Sequence, residues 1–95
     1  MIFEWDRSKA AANLKKHGVS FEDAATVFAD PLAITFPDPD HSAEELREIT
    51  IGHTMKGELV FVSHAARESG IRIIGARLAT RLEKKQYEEG IGEGV

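Results

Sequence analysis

Asp30-Pro31 divides the chain into two hydrophobic periods, and that division constrains the fold more than any other feature of the sequence. Before it, Ala10, Ala11 and Leu14, then Phe21, Ala24, Ala25 and Phe28, recur at helical spacing. After it the period falls to two. Leu32–Phe36, Arg47–Thr54, Leu59–His64 and Ile71–Arg77 are predicted as strands, with turns at Lys56-Gly57 and Ser69-Gly70. Pro31 itself stops a helix, because its ring disfavours the helical conformation at the residue before it. Helices followed by a run of strands predict an α+β domain, in which an antiparallel sheet of about four strands carries the helices on its surface. The 95 residues have room for one such domain and one modest core.

Capping residues set the helix ends. Asp6 can cap a helix predicted over Arg7–His17, and Gly18 supplies the left-handed residue that ends it. On that helix Lys9, Asn13, Lys16 and His17 share a polar face, which leaves Ala10, Ala11 and Leu14 as the expected core face. Ser20, with Asp23 three residues on and Val19 stapled against Ala24, starts a second helix that is predicted to run through Ala29. Thr80-Arg81-Leu82-Glu83 fits the T-x-x-E capping box and opens a last helix to about Glu89, closed by Gly90. The tail, residues 91–95, is predicted to fray. Ile2-Phe3-Glu4-Trp5 reads as a short N-terminal edge strand or an anchor that buries Phe3 or Trp5, and the segment from Pro37 to Glu45 reads as an acidic loop.

The chain has no cysteine, which removes disulfide frameworks and thiolate metal sites and agrees with a reducing compartment. No apolar run approaches the ~18 residues of a membrane span, and the first residues are acidic, so the expectation is a soluble, unexported, cytoplasmic protein. A net charge of −4 argues against a general binder of polyanions. The distribution qualifies that sum: Arg72, Arg77, Arg81, Lys84 and Lys85 form a cationic block that contains one acid, Glu83. A solvated helix face accounts for such a block as well as a phosphate site does. No helix-turn-helix pattern or broadly basic surface marks a sequence-specific DNA binder.

Phe3-Glu4-Trp5-Asp6, Lys9, Asn13, Lys16-His17-Gly18-Val19-Ser20-Phe21-Glu22, Ala24-Ala25 and Val27-Phe28-Ala29-Asp30 together resemble the opening of the BrnT family of toxins. Arg47 before Ile49-Thr50-Ile51-Gly52, then Arg72-Ile73-Ile74, Ala76-Arg77, Ala79-Thr80, Glu83 and Tyr87-Glu88, resemble its second half in order and spacing. The likeness runs over about residues 2–89. It implies a RelE-like fold and a metal-independent ribonuclease that arrests translation. It also implies neutralisation by a ribbon-helix-helix antitoxin, and a complex that represses its own operon through the antitoxin's DNA-binding part. The chain departs from the family at Gly75, where serine is common, and at Leu78, where a basic residue is common. An alternative that takes these departures at face value is a non-catalytic module that binds antitoxin and acts as corepressor.

Metal-free cleavage of RNA uses the 2′-hydroxyl as internal nucleophile, so the protein must supply a base, a cation for the developing phosphorane charge, a proton donor and alignment. Arginine suits the cationic role, because its planar fork grips phosphate and stays charged. Arg72, Arg77 and Arg81 are the leading catalytic candidates. In a regular strand Arg72 and Arg77 point to opposite faces, unless Gly75 introduces a bulge or the strand ends first. Arg81, a cation in the first turn of a helix, opposes the helix dipole, and a bound phosphate would remove that small cost. Glu83 is either a general base or simply the capping-box acid. Tyr87 either stacks on a base or donates a proton, or it packs its helix on the sheet. Lys9, Arg47 and Lys84 are candidate RNA contacts, with Arg47 equally explained as a part-buried cation that has a carboxylate partner. His53 and His64 read as surface or internally satisfied histidines. His41, between Asp38 and Asp40 and the residues that follow, lacks a spaced ligand set, so neither a metal nor another cofactor is expected.

Overall fold

The computed structural model describes residues 1–40 and 46–90. In chain order the elements are β1 (Phe3–Glu4), α1 (Arg7–His17), α2 (Phe21–Ala25), a 3-10 turn over Thr26–Ala29, β2 (Ile34–Pro37), β3 (Arg47–His53), β4 (Leu59–Arg67), β5 (Gly70–Leu78) and α3 (Arg81–Glu89). Each helix starts on its expected cap. The Asp6 carboxylate accepts from the Lys9 amide at 3.0 Å and the Ser20 hydroxyl from the Asp23 amide at 3.0 Å. Thr80 and Glu83 form the reciprocal capping box, which satisfies two of the amides that the first turn leaves unpaired. Gly18 and Gly90 end their helices in the left-handed conformation. The second helix tightens into the 3-10 turn before Asp30 rather than continuing as an α-helix to Ala29. The predicted fraying of residues 91–95, the end of the acidic loop and His41 lie outside the described residues.

The sheet has five strands in the order β1-β5-β4-β3-β2. Strands β2 to β5 pair antiparallel in chain order, and β3, β4 and β5 make the meander expected of the last three predicted strands. The sheet as a whole is mixed rather than antiparallel, because β1 pairs with β5 in parallel, Phe3 beside Ile71 and Glu4 beside Arg72. Gly70 makes that pairing possible. It sits at φ 146, and a Cβ there would fall 2.0 Å from the Ile2 carbonyl oxygen, which accepts from the Ile71 amide.

Strand β2 begins two residues later than predicted. The Asp30 carboxylate accepts from the Leu32 amide at 2.9 Å in an Asx turn, which holds Leu32 outside the sheet and exposed. Pro37 ends this edge strand, the place in a sheet where a missing amide costs least. Strands β4 and β5 run longer than their alternation predicts and close through Glu68-Ser69.

A bulge in β5 decides which side chains share a face. Ser63 pairs with Gly75 and His64 with Ile73, so Ile74 is an extra residue without a partner. Arg72 then lies opposite Ala65 and Arg77 opposite Phe61. Phe61, Ser63 and Ala65 alternate on one face of β4, so the two arginines share that face although they stand five residues apart.

Helices α1 and α2 cover one face of the sheet, over Val19, Phe21, Ala24, Val27, Val60, Val62, Ile73 and Ala76. Helix α3 covers part of the other, over Ile34, Ile49 and Ile51 with Phe36, Leu59, Phe61 and Tyr87 around them. On the first face His64 is buried and bonds through Nε2 to the Thr50 hydroxyl at 2.7 Å, which meets Thr35 at 2.7 Å. Phe28 packs edge-on against its ring, and burial pushes its pKa down to about 4.

Helix α1 turns a different side inward than its pattern suggests. Ala10 and Asn13 face the body, whereas Ala11 and Leu14 remain exposed. The reason is a backbone demand. Because β1 is only two residues long, the outer edge of β5 is unpaired beyond Arg72, and Asn13 takes the place of a strand there. Its Nδ2 donates to the carbonyls of Ala76 at 2.8 Å and Val19 at 3.0 Å, and its Oδ1 accepts from the Ala76 amide at 3.2 Å.

Candidate active site

The sheet face that carries α3 is only partly covered, and a cleft of about 660 Å³ opens beside the helix. Its floor is Phe61, Ser63, Ile49 and Ile74, with Leu82, Glu83 and Gln86 of α3 on one side and Phe36, Asp38, Pro39 and Asp40 on the other. Arg77 and Arg47 project into it. Arg47 is the first residue of β3 and half-buried, the strand-end placement that keeps a cation within reach of water.

Arg77 is fixed from three directions. Its guanidinium carbon stands 3.9 Å above the centre of the Phe61 ring, the cross-strand neighbour given by the register. Its two terminal nitrogens donate to the two Glu83 oxygens, both at 2.8 Å, and one of them also reaches the Leu78 carbonyl at 3.2 Å. The bidentate pair is the geometry in which a guanidinium binds a carboxylate most strongly. Hydrogen bonding to Glu83 holds the Arg77 pKa above its ordinary value. Burial pushes the Glu83 carboxyl up, but the Arg77 guanidinium and the Thr80 amide and hydroxyl outweigh it, and the group is held below the usual carboxylate range. Glu83 is therefore both capping-box acid and partner of Arg77, since its Oε1 also accepts from the Thr80 amide at 2.9 Å.

The other candidates fall elsewhere. Arg72 shares the face but lies in a separate hollow with Glu4, Trp5, Asp6 and Arg67, roughly 15 Å along β5 from Arg77. Arg81 is exposed in the first turn of α3, outside the cleft lining. Lys9 is exposed on α1, in the layer on the opposite side of the sheet. Tyr87 and Lys84 project from the other flank of α3, where they line a pocket of about 270 Å³ with His53, Gly57, Leu59 and Glu88.

Sequence reasoning missed what holds Tyr87. Its hydroxyl donates to Asp30 Oδ2 at 2.7 Å and meets His53 Nδ1 at 3.1 Å, while the His53 amide donates to the same Asp30 oxygen at 2.8 Å. Burial, reinforced by Asp30, pushes the Tyr87 hydroxyl up to about 12, so it stays protonated. Burial also raises the Asp30 carboxyl, but the amides of His53 and Leu32 and the Tyr87 hydroxyl outweigh it and keep it ionised. Asp30 reads in sequence only as a helix stop, because its partners lie far along the chain. Among the described residues, no group of three or more His, Asp or Glu is placed to hold a metal ion, and no helix is long and apolar enough to cross a membrane.

Residues 5–83 match the sequence profile of a family described as the ribonuclease toxin, BrnT, of type II toxin-antitoxin systems. The chain belongs to this family. The BrnT match includes Arg47, Arg72, Arg77, Arg81 and Glu83 and stops short of Lys84 and Tyr87. Among solved structures, the 1.1 Å crystal structure of the ribonuclease toxin BrnT of Brucella abortus superposes with a TM-score of 0.65, at 24% identity over 85% of this chain and all of that one. That likeness concerns the fold. No curated protein sequence matches the chain.

Proposed function

We propose that this BrnT-family chain is a metal-independent endoribonuclease that arrests translation and works in the cytoplasm. We further propose that it has a RelE-like fold and that a ribbon-helix-helix antitoxin neutralises it and carries the complex to operator DNA. Membership of a ribonuclease toxin family supports the class of activity. The observation that carries the mechanism is the Arg77–Glu83 pair, held flat on Phe61 in a cleft that also receives Arg47.

Glu83 is ionised at neutral pH and accepts the proton of the ribose 2′-hydroxyl as its oxygen attacks the adjacent phosphorus. The bond from phosphorus to the 5′-oxygen breaks, and that oxygen takes a proton from water, to which Glu83 returns the proton it accepted, leaving a 2′,3′-cyclic phosphate and a 5′-hydroxyl. A guanidinium carries five N–H donors, so Arg77 keeps free donors for the phosphorane charge after binding Glu83, and Arg47 supplies a second cation across the cleft. Arg72, Arg81, Lys9 and Lys84 contact flanking RNA in this reading, and Tyr87 holds α3 in place through Asp30. One observation favours the alternative of a non-catalytic antitoxin-binding corepressor: Asp38, Asp40 and Glu83 set three carboxylates against two arginines in the cleft.

Purified chain incubated with structured RNA in excess chelator separates the two readings. Chelator-resistant cleavage that Arg77→Ala loses supports the enzyme. No cleavage under any condition supports the corepressor.

A further inference from the structure

Helix α1 is the most lopsided charged element of the chain. It carries Arg7, Lys9, Lys15 and Lys16 and no acid, in a protein of net charge −4. Its two flanks differ. Arg7, Ala10, Ala11 and Leu14 line a groove against Ser20, Phe21 and Glu22. Lys9 and Lys16 stand seven residues apart on the other flank of Asn13, on one stripe about 10 Å long.

The Asn13 clamp on Ala76 fixes that stripe beside the outer edge of β5, next in sequence to Arg77. At the other end of the contact, Asp6, whose carboxylate accepts from the Lys9 amide at 3.0 Å, lines the same hollow as Arg72. Asp6 is held below its ordinary range chiefly by the Lys9 amide, with the charges of Lys9 and Arg72 adding to the effect. Arg72 and Arg77 lie on one face because of the bulge at Ile74. Lys9 and Lys16 thus flank the outer edge of β5 where Asn13 closes it, and Arg72 lies towards the start of that strand, where β1 covers the edge.

We propose that Lys9, Lys16 and Arg72 form a phosphate track along this edge that holds the RNA backbone flanking the bond presented to Arg77. The proposal rests on the ribonuclease reading for its substrate. A sugar-phosphate backbone is the occupant that fits, because the track offers separated cations, and its one large apolar side chain is the half-buried Trp5 in the hollow of Arg72, a surface on which a base can stack. The exposed leucine of α1, Leu14, is on the opposite flank, where a peptide partner would find it. Contacts of this type set register and affinity without reading sequence.

The test uses the 95-residue chain and a uniformly 2′-O-methylated single-stranded RNA, which binds but lacks the nucleophile, titrated over a range of salt concentrations. The double variant Lys9→Gln/Lys16→Gln is expected to bind more weakly and to lower the slope of log affinity against log salt by about 1.4, from about 0.7 per phosphate contact on a single strand. Lys56→Gln removes the same type of charge from the β3–β4 turn, where Lys56 pairs with Asp23 at 3.0 Å, and is expected to leave the slope unchanged. An unchanged slope in the double variant, or an equal fall with Lys56→Gln, overturns the track. So does an unchanged slope accompanied by lost binding of an acidic peptide, which would assign the stripe to a protein partner. Because this RNA cannot be cleaved, a failed ribonuclease reading shows separately, as wild-type protein that leaves unmodified RNA intact.

Discussion

Replacing Asn13 by alanine removes a side chain that closes the outer edge of β5. Three hydrogen bonds go with it, at 2.8, 3.0 and 3.2 Å, to both backbone groups of Ala76 and the Val19 carbonyl. A neutral hydrogen bond contributes about 1 kcal/mol net, and a donor or acceptor left without a partner costs about 1–3 kcal/mol when buried. The site is half-buried, so water recovers part of that loss, and the expected destabilisation is about 2–4 kcal/mol. A chain of this length has a total stability of about 5–14 kcal/mol, so the change is large. With a urea m-value of about 1.5 kcal/mol/M, the unfolding midpoint falls by about 1.3–2.7 M. Asn13→Asp sharpens the test. It keeps the acceptor for the Ala76 amide but loses both donors and sets a carboxylate against two carbonyl oxygens, so it is expected to be at least as destabilising. Faster amide exchange at Ala76 in either variant would locate the damage at the edge. A loss for Asn13→Ala below about 0.5 kcal/mol, or a wild-type midpoint for Asn13→Asp, would refute the clamp.

Other consequences are equally direct. His64 titrates near 4 when folded and about 6.5 when unfolded, so the unfolded chain takes up the proton first. Its contribution is complete above the unfolded value and is lost as pH falls, by about 3 kcal/mol at pH 4, and His64→Gln should flatten urea midpoints measured from pH 7 to 4. Gly70→Ala, with a Cβ 2.0 Å from the Ile2 carbonyl oxygen and a strained φ, should cost more than about 2 kcal/mol and release β1, seen as lost exchange protection at the Ile71 amide. Tyr87→Phe should cost about 1–2 kcal/mol in thermal unfolding through its bonds to Asp30 and His53, and keep cleavage within about twofold. A larger loss of cleavage than of stability would return Tyr87 to the reaction.

What the sequence disclosed was local. Asp6, Ser20, Thr80, Gly18 and Gly90 act within a turn of themselves, so the helix ends were legible, and alternation exposed the meander. The parallel β1–β5 pair was not, because two residues carry no periodicity and their partner lies at the other end of the chain. The bulge was foreseen only as a condition at Gly75. It falls at Ile74, and it puts Arg72 and Arg77 on one face. Of the candidate site, Arg77, Glu83 and Arg47 meet in one cleft, whereas Tyr87 and Lys84 meet His53 on the far flank of α3. That separation depends on where α3 crosses the sheet, which no capping signal encodes. The Asn13 clamp was hidden for a similar reason: an asparagine on a polar helix stripe looks solvated until the strand edge it closes is known.

The central claim is that Glu83 and Arg77 direct a 2′-oxygen at its own phosphate. Analysis of the ends left by cleavage in excess chelator tests it most directly. The account predicts a 2′,3′-cyclic phosphate and a 5′-hydroxyl, no cleavage of a strand with 2′-deoxyribose at the scissile position, and loss of both products in Glu83→Gln and Arg77→Ala. A 5′-phosphate product, or cleavage of the deoxy strand, would contradict it.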